Sequence, residues 1–432
     1  MAIIDSNSDI RKWYYDVKAI KFFYTDENNN EHILETVPRE RLKNMNILED
    51  FENTYFPVFS LTLVLEDSTY YNILEHKDSC KLYLRVDKFS RKSGESAKQL
   101  NRRFINRKFD VIIEDNSFDV SSKIDELENL TNFTSITDSD KNELKDVTNI
   151  VKFYLFPEIL GNTKKNVNKP FKDASVTEAL AWLFYNAKIN NVLMARTDNN
   201  TRYDELVIPP LSTLKALAFI DTYYGLYKYG SLIYFGLFHN YVIPYDGNNH
   251  VVPRYGDTKV EIDFIVPDTD STNQTGVMHS GKNNAIDYIV TNFRNISSDT
   301  VSIGNDFING NNIQIIDAFE EVSEIYRSNS KTRFNADFVK FFENFTENKF
   351  LPYTYIAQVN ALSDVISMQV SDIDASIVLP HKRIKLIFEN HKYAKQYRGK
   401  YVLSSILHTF TSTGAELSVS SNITLKKMNL KV

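Results

Sequence analysis

The stretch PPLSTLKALAFIDTYYGLYKYGSLIYFGLFHNYVIPY, residues 209–245, leaves the chain few choices. Pro209 and Pro210 are expected to stop whatever precedes them. Ser212 then offers a hydroxyl that can accept a free N–H of a first helical turn. Leu214, Leu217, Ile220 and Tyr224 recur at three- and four-residue spacing and predict one apolar helix face. Gly225 stands where a helix end favours a left-handed residue. Leu232 to Phe235 is a short apolar run, the segment 236–240 can turn, and Tyr241 to Ile243 can return. The expectation is a helix followed by a tight β-hairpin that presents aromatic rings. Nothing in the stretch looks catalytic.

Strand patterns surround it. The segments 12–24, 55–66, 81–86, 109–113, 259–266, 286–293 and 415–426 are dense in β-branched or aromatic residues, several with strict alternation. Ile303 to Ile316 and Tyr353 to Val359 also read as strands, and Asp317 to Tyr326 as the start of a helix. Ser175 and Glu178 form the sequence of a capping box. The helix it opens carries Val176, Ala179, Leu180, Leu183 and Phe184 on one face. Residues 88–108 read as a long basic loop, 116–150 as an acidic helix, loop and linker, and 162–172 as a polar loop. The reading is α+β, mainly β.

Charge comes in blocks. Residues 85–108 hold nine Lys/Arg against two acids, residues 110–150 eleven acids against three Lys, and residues 376–432 ten Lys/Arg against two acids. Such blocks steer association with complementary surfaces. Arg102, Arg103 and Arg107 could meet phosphates, but the net charge of −6 and the sparse interleaved aromatics favour a grip on a neighbouring subunit over nucleic acid. With 25 Tyr and 29 Phe against 13 Gly and 11 Pro, the chain has material for large aromatic interfaces.

Chemistry finds few footholds. The single cysteine, Cys80, rules out an internal disulfide and a multi-cysteine metal site. None of the eight histidines forms a close ligand pair. A Walker loop and a Gly-X-Ser-X-Gly elbow are absent, and Asp263, Asp268 and Asp270 lack EF-hand spacing. Carboxylates such as Glu205 and Asp221 keep a cell-wall hydrolase in view only because acids are common. No run approaches the roughly 20 apolar residues of a membrane helix, and the first residues show no signal peptide. The expectation is no enzyme, no cofactor, no metal and no membrane.

The order of the opening stretch has a parallel. A leucine-rich helix, Tyr224-Gly225, a further Tyr, an Ile-Tyr-Phe strand and Tyr-Val-Ile resemble the central segment of baseplate hub proteins of tailed phages. Those proteins are related to the hub part of type VI secretion spike proteins. The chain's end fits the same pattern. A Leu379-Pro380 step precedes a strand, and Tyr397, Gly399 and Tyr401 form a Tyr-X-Gly-X-Tyr element. A strand carrying Ser404, Ser405 and His408 follows, then the turn Ser412-Thr413-Gly414 and a terminal strand. Pro380-His381 departs from the Gly-Lys step often found there. The two segments cover about a quarter of the chain, with motifs of shape rather than invariant residues.

The resemblance implies a structural virion protein of the tail baseplate, made in the host cytoplasm. It implies a homotrimer whose subunits each supply two tube-type β-barrel domains, giving a pseudo-sixfold ring. That ring would join a hexameric tail tube protein to a trimeric central spike protein. The tape measure protein and baseplate wedge proteins would lie close by, and genome DNA would only pass through the channel. The tube domains would be residues 1–125 and 350–432, with mixed α/β middle domains at 126–205 and 206–349. Candidate subunit or partner interface residues are Arg102, Arg103, Arg107, Tyr234, Phe235, Tyr397 and Tyr401. The alternatives are another component of tube fold (a distal tail protein or a secretion-spike hub), a cell-wall hydrolase, or a stand-alone binding module.

Overall fold

The computed structural model describes residues 3–5, 12–28, 30–51, 54–91, 102–114, 148–227, 231–244, 261–267, 276–278, 285–295, 365–380, 383–397, 400–412 and 416–428. The elements run in the following order. The first part holds β1 (Ile3–Asp5), β2 (Lys12–Thr25), β3 (Glu31–Val37), β4 (Leu42–Asp50), β5 (Val58–Glu66), α1 (Asp67–Glu75), β6 (Lys81–Arg91), β7 (Arg102–Ile113) and β8 (Thr148–Pro157). The middle holds α2 (Ile159–Thr163), β9 (Asn166–Ser175), α3 (Val176–Asn186), β10 (Val192–Met194), β11 (Arg202–Ser212), α4 (Thr213–Tyr223), β12 (Ser231–Phe235) and β13 (Asn240–Pro244). The last part holds β14 (Glu261–Val266), β15 (Gly276–Met278), β16 (Ala285–Asn295), β17 (Val365–Ser371), β18 (Arg383–Phe388), α5 (His391–Gln396), β19 (Lys400–Ser412) and β20 (Leu417–Met428). The fold is α+β and mainly β.

One sheet dominates, in the order β18-β14-β16-β17-β20-β19-β4-β5-β8-β7-β6-β2-β3. A further pairing of β2 with β20, at Tyr15 and Leu417, closes the run from β20 to β2 into a barrel. The barrel therefore draws strands from both ends of the chain. Its interior is the period-two face of each strand: Met45 and Ile47 on β4, Phe59, Leu61 and Leu63 on β5, Leu82 and Leu84 on β6, and Ile406 and Phe410 on β19. All are buried. In β2 the inward series is Tyr15 and Val17, then Ile20 and Phe22. The phase slips between Val17 and Ala19, where the register with β6 shifts, so the extra residue turns both halves inward. Beyond β20 the sheet continues through antiparallel β17 and β16 into the parallel strands β14 and β18.

The middle elements follow their local signals. Ser175 Oγ accepts the Glu178 N–H at 3.3 Å, and the Glu178 carboxylate accepts the Ser175 N–H at 2.8 Å, completing the capping box on α3. Pro209 and Pro210 do not stop the preceding element: β11 runs through them to Ser212, its register against β9 shifting between Ile208 and Leu211 where the prolines supply no ladder N–H. Ser212 accepts the Lys215 N–H at the start of α4, and Gly225 after its end has φ 72°. The hairpin β12–β13 forms as the apolar run predicts, and β10 adds to it in parallel.

Two expected loops are strands. The basic stretch 88–108 lies on β6 and β7 except for residues 92–101, and Lys88 faces Arg102 across the ladder. The polar stretch 162–172 falls on the end of α2 and on β9, paired with β11. In both, cross-strand pairing supplies what the polar sequence does not advertise. The expected elements at 116–147, 303–326 and 353–359 lie outside the described residues.

Candidate functional site

Two buried seams join distant parts of the chain. The first lies where the β12–β13 hairpin covers one end of the barrel. The Tyr234 ring meets Phe51 edge-on at 4.7 Å, Phe235 stacks on Phe56 at 5.4 Å, and Phe238 packs on Phe104 at 5.2 Å. The Phe235 N–H donates to the Tyr55 carbonyl at 2.7 Å, and the Arg107 guanidinium donates to the Leu237 carbonyl. Beneath the hairpin is Glu49. It continues the Met45, Ile47 series of β4 and is 2% exposed. The chain crosses it at Gly236, where a Cβ would stand 3.0 Å from the His239 carbonyl and 3.5 Å from Glu49 Oε1. A larger residue would crowd the backbone, which is why glycine suits this crossing. Neither Glu49 Oε2 nor the Tyr234 hydroxyl has a hydrogen-bond partner among the described residues. Burial pushes the Glu49 carboxyl up to about 8.

The second seam joins the N-terminal strands to residues 372–378. Lys88 Nζ donates to both carboxylate oxygens of Asp374 at 2.6 Å and also to the Ser376 hydroxyl. Its ammonium lies 4.9 Å from the centre of the Trp13 ring. The Tyr15 hydroxyl donates to the Ile373 carbonyl at 2.9 Å and accepts the Ala375 N–H at 2.8 Å. The Tyr288 hydroxyl accepts the Asp374 N–H at 3.1 Å. Burial and the Asp374 charge push the Tyr15 phenol upward. Both carboxylate oxygens of Asp374 meet Lys88, so the charges are buried as a hydrogen-bonded pair.

The seven candidate interface residues fall into different settings. Arg102 and Arg103 are exposed on β7, opposite Lys88 and Asp87. Arg107, on the same strand, is tied to the hairpin. Tyr234 and Phe235 are fully buried in the first seam, spent on contacts within the chain. Tyr397 is 9% exposed, stacks on Phe388 and meets Phe293 edge-on. Tyr401 donates its hydroxyl to the Tyr397 carbonyl at 2.7 Å. The structure thus gathers Arg107, Tyr234 and Phe235 at one seam, and Tyr397 with Tyr401 at another place.

Sequence reading passed over Glu49, Lys88 and Asp374. A signal existed for two of them. Lys88 continues the apolar phase Leu82, Leu84, Val86, and Glu49 continues Met45, Ile47. A charged residue in the inward phase of an alternating strand marks a buried charge.

One arrangement has the look of chemistry. His408 Nδ1 lies 2.7 Å from Ser421 Oγ. Both residues point into the barrel core, at 1% and 0% exposure, where no substrate reaches. Burial holds the imidazole down at about 3, so it stays neutral and fills the core. Cys80 is also buried, its thiol pushed up to about 12. Among the described residues no group of three or more His, Cys, Asp or Glu is gathered for a metal. None of the described helices is long and apolar enough to cross a membrane.

Comparison with known proteins adds the following. The family model for the Bacteriophage PBS1 gene 109 protein matches residues 5–428. No curated protein matches the sequence. Among solved structures, the chain is similar to a 43 kDa tail protein of prophage MuSo2 from Shewanella oneidensis, with 9% identity and a TM-score of 0.40. The match covers 96% of this chain and 97% of that one. It is also similar to a Francisella PdpA–VgrG complex, with 10% identity and a TM-score of 0.39, over 99% of this chain but only 54% of the Francisella chain. A third similarity is to the E. coli c3393 protein, described as a component of the type VI secretion system, with 7% identity and a TM-score of 0.39. It covers 90% of this chain and 74% of that one.

Proposed function

The chain belongs to the Bacteriophage PBS1 gene 109 protein family, and from that premise we propose that it is a structural component of a phage tail, the baseplate hub. In this reading it acts without catalysis. Three copies form a ring between the tail tube protein and the central spike protein, with the tape measure and wedge proteins alongside. Residues 1–125 and 350–432 supply the tube domains, with β8 (Thr148–Pro157) as a further barrel strand, and the rest of residues 126–349 supplies the middle. Arg102 and Arg103 face a neighbouring subunit or partner.

The observation that carries the reading is the dominant sheet. It is continuous from one end of the chain to the other, and its two outermost strands differ in charge. The acidic strand β3 (Glu31, Glu35) ends one side and the basic strand β18 (Arg383, Lys385) ends the other. Among the described residues, neither has a strand on its outer side. Unlike edges that meet head to tail make a heterologous contact, and such contacts close into rings when the rotation allows. Light scattering on the purified chain should give about three times the 50.0 kDa monomer mass, alone or with a co-expressed spike. Glu35→Lys should lower that mass and Lys385→Glu should partly restore it. A chain that stays monomeric with every tail partner would sink the hub reading.

A further inference from the structure

We propose that the β12–β13 hairpin is a releasable latch on the barrel, held closed by the neutral form of Glu49 and opened when Glu49 ionises. The hairpin contributes Tyr234 and Tyr241, and the backbone at Gly236 crosses directly over Glu49 Oε1. On its own strand the next residue is Asp50, a second acid. Across the ladder β19 offers Ile406, with His408 one inward step further, and on the other side β5 pairs Val58 with Leu48. Arg107 brings a cation to this seam, and its guanidinium is engaged with the Leu237 carbonyl.

No ion pair with Glu49 is formed among the described residues, and burial raises its carboxyl. Both phenols are pushed well above their ordinary range, and His408 is held neutral. Burial brings the Glu49 carboxyl to about 8, and the hairpin's own turn also carries His239, whose ring lies 6.1 Å from that of Tyr241. Once ionised, Glu49 needs water. The two neighbouring barrel strands cannot part without breaking ladder hydrogen bonds along β4–β5 and β4–β19. The hairpin side is held by ring contacts, the Phe235–Tyr55 hydrogen bond and the Arg107–Leu237 hydrogen bond. Fewer hydrogen bonds cross from the hairpin to the barrel than run along either ladder, so we place water entry on the hairpin side.

The sign follows from linkage. The closed state raises the carboxyl from its ordinary 4.5 to about 8. Closure is fully favoured below the lower value and is lost as pH rises through the upper one. Whatever the oligomeric state, this is a property of the single chain.

Hydrogen–deuterium exchange of the full chain, read by mass spectrometry and corrected for intrinsic rates, tests it. In wild type, the Phe235 amide, whose N–H bonds to the Tyr55 carbonyl across the seam, should lose protection by roughly tenfold or more between about pH 6 and about pH 9, read from overlapping peptides spanning 232–240. Peptides of the β19–β20 ladder should keep theirs. Glu49→Gln should hold the hairpin closed at both pH values. Gly236→Ala, which crowds the His239 carbonyl at the crossing and leaves the carboxyl itself in place, should leave the hairpin open at both. A wild-type hairpin that keeps its protection, loses it together with the whole barrel, or opens equally in Glu49→Gln would overturn the proposal.

Discussion

The two seams bury an acid each and treat it in opposite ways. At the second, Asp374 meets Lys88 and Ser376, its own N–H reaches Tyr288, and Tyr15 secures the backbone on either side of it. At the first, Glu49 lies under aromatic rings with one carboxylate oxygen unmatched among the described residues. The difference teaches what each joint can do. A satisfied ion pair costs desolvation but holds one geometry, because parting the partners strands two charges. A lone buried carboxyl is stable only while protonated, so its joint depends on solution conditions. The fold thus has a fixed joint between its two ends and a conditional joint between the barrel and the middle hairpin.

The largest effect should come from breaking the fixed joint. Lys88→Met leaves Asp374 buried without its cation and should lower stability by about 3–5 kcal/mol in urea unfolding. Adding Asp374→Leu should recover much of the loss. If Lys88→Met were neutral, the contrast between the seams would fail.

Next in size is the pH response of the conditional joint. The folded state holds a proton on Glu49 that the unfolded chain releases above about 4.5, so stability should fall as pH rises through about 8. Glu49→Gln removes that slope and should raise the unfolding free energy from urea titration in alkaline solution by an amount on the order of 3 kcal/mol. At about pH 5 it should change little, because both side chains are then neutral when folded. A wild-type midpoint that is flat with pH would make the two acids equivalent.

The smallest effect sharpens the comparison at a single atom. Tyr15→Phe removes a hydroxyl that both donates and accepts, and should cost about 1–2 kcal/mol. Tyr234→Phe removes a buried hydroxyl without a partner among the described residues, and should be neutral or slightly stabilising, within about 0.5 kcal/mol. Equal losses at the two positions, measured by the same unfolding midpoints, would remove the distinction.

Much of the middle was legible because its signals are local. The capping box of Ser175 and Glu178, the Ser212 cap, the left-handed Gly225 and the hairpin from Ser231 all depend on groups a few residues apart. The strands β3 and β4 were not legible. EHILETV and LKNMNILED are polar enough to pass for loops, and they become strands through their partners β2, β5 and β19. The basic stretch misled for the same reason. Arg102 and Arg103 look like loop cations until Asp87 and Lys88 face them across a ladder.

The sequence by itself determined the mainly-β character, the caps, the hairpin and the inward phase of each alternating strand. These follow from bond geometry over two to four residues, which the chain carries wherever it goes. Tertiary structure decided that Tyr15 meets Leu417 to close the barrel, and that Lys88 finds Asp374. It also decided that Tyr234 and Phe235, rings suited to an outer interface, are used up inside the chain. Such partners are far apart in sequence, and nothing local specifies them. They are set by how much apolar surface the whole sheet buries when it closes, and by which charges that closure leaves inside.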